Sequence, residues 1–408
     1  MTMNQETVLT ALDAAEPDPA LAELASGPRA IECPDLDSGR LVLPRYREVR
    51  HALLSNVFIC APTATGMLGA LPSHLREQLA PVASWVLYSD APQHPRLRAL
   101  LAKAFTARQV LDLNDDIRRR AEELVRAFAL GGGGDAVAAL TEPLPVHTIS
   151  ALLGIPVADR ADIKACSDDV VLIAEPELTS DQEVRAALAW GQLSEYFGGA
   201  IDDRRSRLGS DIISGLVAAE ADGEQLTDAE IISNCIALLV GGHETTSSLL
   251  SSLILAAASR PEMREAIHDD EDVARRFVEE VLRFDGPSKI TARTAVHDTE
   301  LFGIPIEAGR RLVLLQASAN RDPEVFGKAN EFRAMRRPNP HLGFGHGPHA
   351  CFGAALARMQ AVALLRAFMR SSEQLAVDGA AVTWKPSRVI RSAAYLPITQ
   401  VPKAGAES

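Results

Sequence analysis

Apolar residues along this chain fall mostly into long alanine- and leucine-rich stretches with helical spacing, separated by short polar, glycine- or proline-containing breaks. The stretches Asp115 to Leu130, Asp181 to Arg207, Asp228 to Ala258 and Gly353 to Arg370 predict helices. Strand signals are fewer and fall late. Arg293 to Val296, Glu300 to Ile304 and Arg311 to Leu315 are set among Gly303, Pro305 and Gly309 as turn residues, and a further β-like stretch lies between Ala381 and Val401. Gly131 to Gly134 reads as a loop between two helices. No repeat of fixed period appears. The expectation is a mainly α fold with a small β region, in one domain over residues 1–408, with 1–20 flexible.

The stretch from Asp228 stands apart. Thr227 before it and Glu230 three residues later form a capping box. Ile231, Ile232, Ile236, Leu238, Leu239 and Val240, then Leu249, Leu250, Leu253, Ile254 and Leu255, make it apolar on nearly all sides, which marks a buried helix. At 1.5 Å per residue it spans about 45 Å, enough to cross a whole domain. Arg260-Pro261 ends it.

In its middle sits Gly241-Gly242-His243-Glu244-Thr245-Thr246. Two glycines cost roughly 2 kcal/mol relative to alanine in a helix interior. A carboxylate and hydroxyls beside them are costly to bury unpaired. Glycines here let a flat or diatomic ligand approach the backbone and let the helix open, with Glu244 and Thr245 passing protons to that ligand. A kinked core helix whose Thr and Ser residues bond back to carbonyls is the alternative.

Composition narrows the class. Hydrophobic residues make up 47% and charged residues 23%, an ordinary globular balance. A net charge of -13 argues against a nucleic-acid binder. Cys33, Cys60, Cys166, Cys235 and Cys351 are an odd set with no CxxC, which suits a reducing compartment. The acidic start, Met1 to Pro19, has neither the basic residues nor the apolar stretch of a signal peptide, so a cytoplasmic, non-membrane protein is expected.

The most specific segment is Leu342-Gly-Phe344-Gly345-His-Gly347-Pro-His349-Ala-Cys351-Phe-Gly353. Gly345, Gly347 and Gly353 permit a tight, backbone-exposed loop that lies against a flat cofactor. Cys351 immediately precedes a predicted helix, whose positive end favours thiolate over thiol. A thiolate is the proximal ligand a haem iron needs when oxygen is to be split. A lone buried cysteine acting as a small hydrophobe is the plain alternative.

At this point the chain resembles the cytochrome P-450 family of soluble bacterial type. Phe344-x-x-Gly347-x-x-x-Cys351-x-Gly353 is similar to its haem-binding signature, Gly241-Gly242-x-Glu244-Thr245 to its oxygen-activating helix, and Glu280-x-x-Arg283 to its third motif. His94-x-x-x-Arg98, Asn320-Arg-Asp-Pro323 and Pro338-Asn-Pro-His341 extend the likeness from about Arg45 onward. Phe352 stands where leucine is commoner, Gly241 where alanine is usual, and Phe332-Arg333 where Phe-Asp is typical.

The resemblance implies a heme b held between the long central helix and the helix after the cysteine loop. Cys351 is the implied iron ligand, with Gly241, Gly242, Phe344, Gly345 and Gly353 against the ring. His94, Arg98, Arg293 and His349 are implied to hold the propionates. Glu244 and Thr245 are implied as the distal proton relay. Glu280 and Arg283, at i and i+3 on one helix face, are implied to form a structural ion-pair network with Arg336.

Family analogy further places a substrate pocket among Ile59 to Trp85, Val170 to Trp190, Asn234 to Gly242, Ser288 to Ala292 and Ser392 to Tyr395. Lys289, Ile290 and Ala394 are its candidate lining. Lys289 is either an anchor for a carboxylate or phosphate or an ordinary solvent-facing lysine. The implied activity is oxygen insertion into a small, largely apolar metabolite, free or tethered to a carrier protein. A monomer supplied with electrons from NAD(P)H by a ferredoxin and its reductase is expected. Docking would use a basic patch drawn from Arg98, Arg293, Arg336, Arg337 and Arg358. A peroxide-driven peroxygenase, an oxidative coupling enzyme, a haem sensor or electron carrier, and a haem-free helical scaffold are the alternatives.

Overall fold

Four long predicted helices form with little change of boundary. The computed structural model describes residues 5–401 apart from 14–18, 35, 37–39, 70, 106, 176–177, 222 and 371–373. Seven helices position the site. They are α1 (Gln93–Ala104), α2 (Asn114–Leu130), α3 (Pro143–Leu152), α4 (Arg160–Val171), α5 (Asp228–Ala258), α6 (Glu271–Phe284) and α7 (Ala354–Arg370). The predicted stretch from Asp181 is the helix Ser180–Ser206.

The Thr227 hydroxyl accepts from the Glu230 N–H and Glu230 accepts from the Thr227 N–H, so the predicted capping box starts α5. This helix runs through the main apolar cluster, with Ile236, Leu250, Leu253 and Ile254 wholly buried. It is continuous across Gly241-Gly242. A Cβ at Gly242 would stand 2.8 Å from Ile149 Cδ1, so that glycine lets α3 pack closely against α5. Asn234 also serves packing: its side chain accepts from the Val86 N–H and donates to the Ser84 and Glu230 carbonyls, pinning the 80–86 segment to α5.

The main sheet has five strands in the order Ile31–Cys33, Arg40–Leu43, Arg311–Leu314, Thr291–Ala295, Phe58–Ile59. The expected strand Glu300 to Ile304 is instead a hairpin, Thr299–Leu301 against Ile304–Ile306. Phe302 and Gly303 both take positive φ, the backbone that a two-residue hairpin turn needs.

Two expectations are corrected. Gly131 to Gly134 is not only a loop, because Gly133–Asp135 pairs antiparallel with Pro397–Thr399. A Cβ at Gly133 would meet Ile398 O at 2.2 Å, and its φ is +94°. Gly133→Ala is therefore expected to cost about 1–3 kcal/mol, read as a lower denaturation midpoint. An unchanged midpoint would show that this strand edge yields freely. The second correction concerns residues 5–13 of the stretch 1–20 expected to be flexible; residues 1–4 and 14–18 lie outside the described residues. Gln5–Asp13 is a helix with Val8, Ala11 and Leu12 buried against Ile31, Val42 and Val313. Its acidic surface residues concealed an apolar face in the sequence.

Candidate active site

The cysteine loop is built on backbone bonds and on glycines. Cys351 N–H donates to Phe344 O at 2.8 Å and Ala350 N–H to Gly347 O at 3.0 Å. Gly345 and Gly347 sit at φ of 68° and 75°. A Cβ at Gly347 would lie 2.7 Å from Leu53 O, so the loop abuts the preceding helix Tyr46–Leu54 with no room for a side chain. Cys351 lies just before α7 and is exposed. Although the residue has exposed surface, the protein packed around the sulfur desolvates it and raises its pKa, opposed by a hydrogen bond from the Gly353 backbone and by the charges of Arg358 and Arg98. These are the groups that favour a thiolate ligand.

Beside the loop lies a cluster of nitrogen donors. The His94 and His349 rings are 4.0 Å apart between centroids. Burial, then His94 and Arg293, pushes His349 down to about 4; burial and Arg98 lower His94. His94 Nε2 is buried with no hydrogen-bond partner among the described residues. Arg293 is buried and bonds Ala292 O, while Arg98 is half-buried and donates to Ala350 O at 2.9 Å. Asp90 faces the cluster, 3.9 Å from His349 Nε2, with its carboxylate also accepting from the Cys60 and Ala61 N–H groups. Such a concentration of donors suits two further carboxylates.

On α5, no atom lies within 4 Å of a Cβ built on Gly241, so backbone there faces open space. The same holds at Gly353. Gly241 and Gly353 thus suit a flat ligand, whereas the place of Gly242 is set by Ile149. Thr245 Oγ1 donates to Gly241 O at 2.7 Å, the back-bond weighed from the sequence. Glu244 is buried, and Lys385 Nζ lies 3.1 Å from its Oε1. Lys385 carries no local motif and was missed by sequence reasoning.

Glu280, Arg283 and Arg336 meet as expected, all buried. Glu280 accepts from Arg283 Nε at 2.9 Å and Nη2 at 2.8 Å, from Arg336 Nε at 3.0 Å and from the Arg333 N–H. The two guanidiniums in turn hold carbonyls of Asn320, Gly327, Lys328, Ala329 and Glu331. Asn320 Oδ1 then accepts from the Leu342 N–H at the entry to the cysteine loop. The network thereby reaches the loop through one side chain.

A second brace was also missed. Glu279 accepts from Arg358 Nε at 2.6 Å and from His341 Nε2 at 2.9 Å, joining α6, α7 and the loop. His341 Nδ1 takes the Gly343 N–H, so Nε2 carries the proton. Burial opposes ionisation of Glu279, but these hydrogen bonds and charges hold its carboxyl down at about 2. Its contribution to stability is thus full above the ordinary carboxylate range and is lost as pH falls toward 2. Thermal melts between pH 6 and pH 3 should fall less steeply for Glu279→Gln than for the parent. Parallel curves would contradict this coupling.

Three further placements correct expectation. Lys289 Nζ donates to Leu12 O at 2.7 Å and Ser387 O at 2.8 Å, and burial with nearby Arg391 lowers it to about 8. It tethers the N-terminal helix and is neither a substrate anchor nor solvent-facing. Ile290 packs on the same N-terminal cluster, while Ala394 is exposed on the strand Ala393–Tyr395. The expected basic patch does not form. Arg293 and Arg336 are buried, Arg358 is paired with Glu279, Arg98 is tied to the loop, and Arg337 is left as the exposed member, 3.7 Å from Asp272.

Thiol, orphaned imidazole, converging cations and open helix backbone together fit a haem. The cytochrome P450 family model matches residues 178–376. The cytochrome P450 monooxygenase PikC of Streptomyces venezuelae is 35% identical over 393 residues, 94% of this chain and 91% of that protein. The structure of cytochrome P450 CYP109Q5 from Chondromyces apiculatus superposes with a TM-score of 0.84 at 30% identity, covering 98% of each chain. A P450BioI structure in complex with an acyl carrier protein ligated to hexadec-9Z-enoic acid gives 0.79 at 29% identity, covering 88% of this chain and 92% of that one. Among the described residues no helix is long and apolar enough to cross a membrane. Fold, loop and relatives agree: this chain belongs to the cytochrome P450 family and is a haem monooxygenase.

Proposed function

We propose that the enzyme inserts one atom of O2 into a mid-sized, largely apolar natural-product metabolite, with Cys351 as the iron ligand. The observation that carries this reading is the Cys351 loop facing a donor cluster whose buried His94 Nε2 is without a partner. Heme b, when bound, supplies the one-electron and O2 chemistry. His94, Arg98, Arg293 and His349 hold its carboxylates by charge-assisted bonds. Thr245 offers a hydroxyl at the open face of α5, and Glu244 holds and releases protons behind it. Two electrons and two protons accompany each turnover, and the second oxygen atom leaves as water.

The electrons come from NAD(P)H through a ferredoxin and its reductase, in the cytoplasm, to a monomeric enzyme. This donor pair rests on family membership, since the arginines expected to steer docking are largely buried or paired. The substrate is free or carrier-tethered, as the likeness to the carrier-protein complex suggests.

Titrating the ferric, haem-loaded protein with lipophilic metabolites and carrier-bound acyl chains tests this. A saturable low-spin to high-spin shift is expected, followed by NAD(P)H-driven product carrying label from isotopic O2. Label arriving from peroxide, with no need for electron donors, would make the enzyme a peroxygenase instead.

A further inference from the structure

Behind α5 the chain closes a ring of ionisable groups from three helices and the C-terminal segment. Glu142 lies just before α3, Lys164 and Asp168 are on α4, His243 and Glu244 are on α5, and Lys385 follows the strand Thr383–Trp384. Lys385 Nζ is 3.1 Å from Glu244 Oε1 and 3.9 Å from Glu142 Oε1. Lys164 Nζ is 3.7 Å from Glu142 Oε2 and 2.6 Å from Asp168 Oδ2. Asp168 Oδ1 is 3.0 Å from His243 Nε2, and His243 Nδ1 faces Leu239 O at 3.1 Å and Ser167 Oγ at 3.3 Å. Three carboxylates therefore share two ammonium groups and one imidazole.

The ring is wet at one side and dry at the other. The Lys385 and Glu142 side chains are 39% and 26% exposed, that of Glu244 only 10%. An anion so enclosed is stable while an ammonium touches it and takes up a proton when that partner leaves. Lys385 has a second acceptor within reach, and Lys164 competes for that same acceptor.

We propose that Lys385 is a positioning residue shared between Glu142 and Glu244, whose movement to Glu142 lets Glu244 take up the proton it passes to the open face of α5 at Gly241. The inference rests on the reading of Glu244 as the distal acid. The proton comes from water on the Glu142 side, Lys385 remains an ammonium throughout, and no bond other than the transferred O–H is made or broken. Because Lys164 and Asp168 belong to α4, a shift of that helix changes how firmly Glu142 draws Lys385.

The test is infrared titration of the ferric resting holoenzyme, following the protonated-carboxyl band that disappears in Glu244→Gln. In Lys385→Met its midpoint should rise by about one to three pH units, since an opposite charge at this distance is removed. In Glu142→Gln it should fall, because the competing acceptor is gone. Lys385→Arg should restore the parent value. The pH dependence of product formed per NAD(P)H consumed should move in the same two directions. A merely structural role would lower yield without displacing either midpoint, and an unmoved band in Lys385→Met overturns the proposal. So does a shift of the same sign in Glu142→Gln. Loss of O2-dependent product in every protein, with the infrared shifts intact, would count against the monooxygenase reading and for the shared lysine.

Discussion

Replacing Glu280 with alanine is expected to destabilise the protein by about 3–5 kcal/mol, the scale for breaking a buried ion pair from one side. Arg283 and Arg336 are 1% and 7% exposed, and Glu280 is the carboxylate between them. Without it two guanidiniums face each other in a desolvated site. Carbonyls hydrogen-bond them but do not cancel their charge. Glu280→Gln keeps the shape and loses the charge, so a smaller loss is expected. Because Arg283 and Arg336 hold the segment from Asn320 to Glu331, and Asn320 holds Leu342, haem retention should fall together with the denaturation midpoint. A Glu280→Ala midpoint equal to the parent's would show that the network is dispensable.

The second large effect is chemical. Cys351→His is expected to keep the fold, since the loop's bonds run through the Cys351 backbone N–H and Phe344 O. Monooxygenase turnover should fall to background. A proximal imidazole lacks the electron donation by which a thiolate promotes O–O cleavage. The variant should resemble a haem carrier in its spectrum and react slowly or not at all with substrate in the presence of NAD(P)H and donors. Product formation at the parent rate would mean that the thiolate is not the ligand.

How legible this was depended on whether a residue's role is local in sequence. The capping box at Thr227, the long apolar helix it starts, and the i, i+3 pair Glu280–Arg283 each follow from short-range spacing, and each forms. Gly242 is ambiguous in the sequence because a glycine needed for helix packing and one needed for ligand approach look alike there. Only the position of Ile149 separates them. Gly133 reads as loop because its strand partner, Thr399, lies more than 260 residues away. Lys289 drew attention as a lone cation, but its role is set by the carbonyls of Leu12 and Ser387, one from each end of the chain. Lys385 and Glu279 had no signal for the same reason: their partners arrive through tertiary packing.

The basic docking patch failed on physics rather than on pattern. An arginine near a haem loop is as easily consumed by structure as displayed to a partner, and here Arg336 and Arg358 are consumed by Glu280 and Glu279. Exposed charge cannot be counted from a sequence when the carboxylates that neutralise it sit on other helices.

The measurement that tests the central claim most directly is the absorption spectrum of the haem-loaded protein, reduced and exposed to carbon monoxide. Thiolate ligation by Cys351 predicts a Soret band strongly red-shifted from that of an imidazole-ligated carbonyl haem, and its loss in Cys351→His. A parent spectrum of the imidazole type, or a red-shifted band that survives the substitution, would contradict the assignment of Cys351.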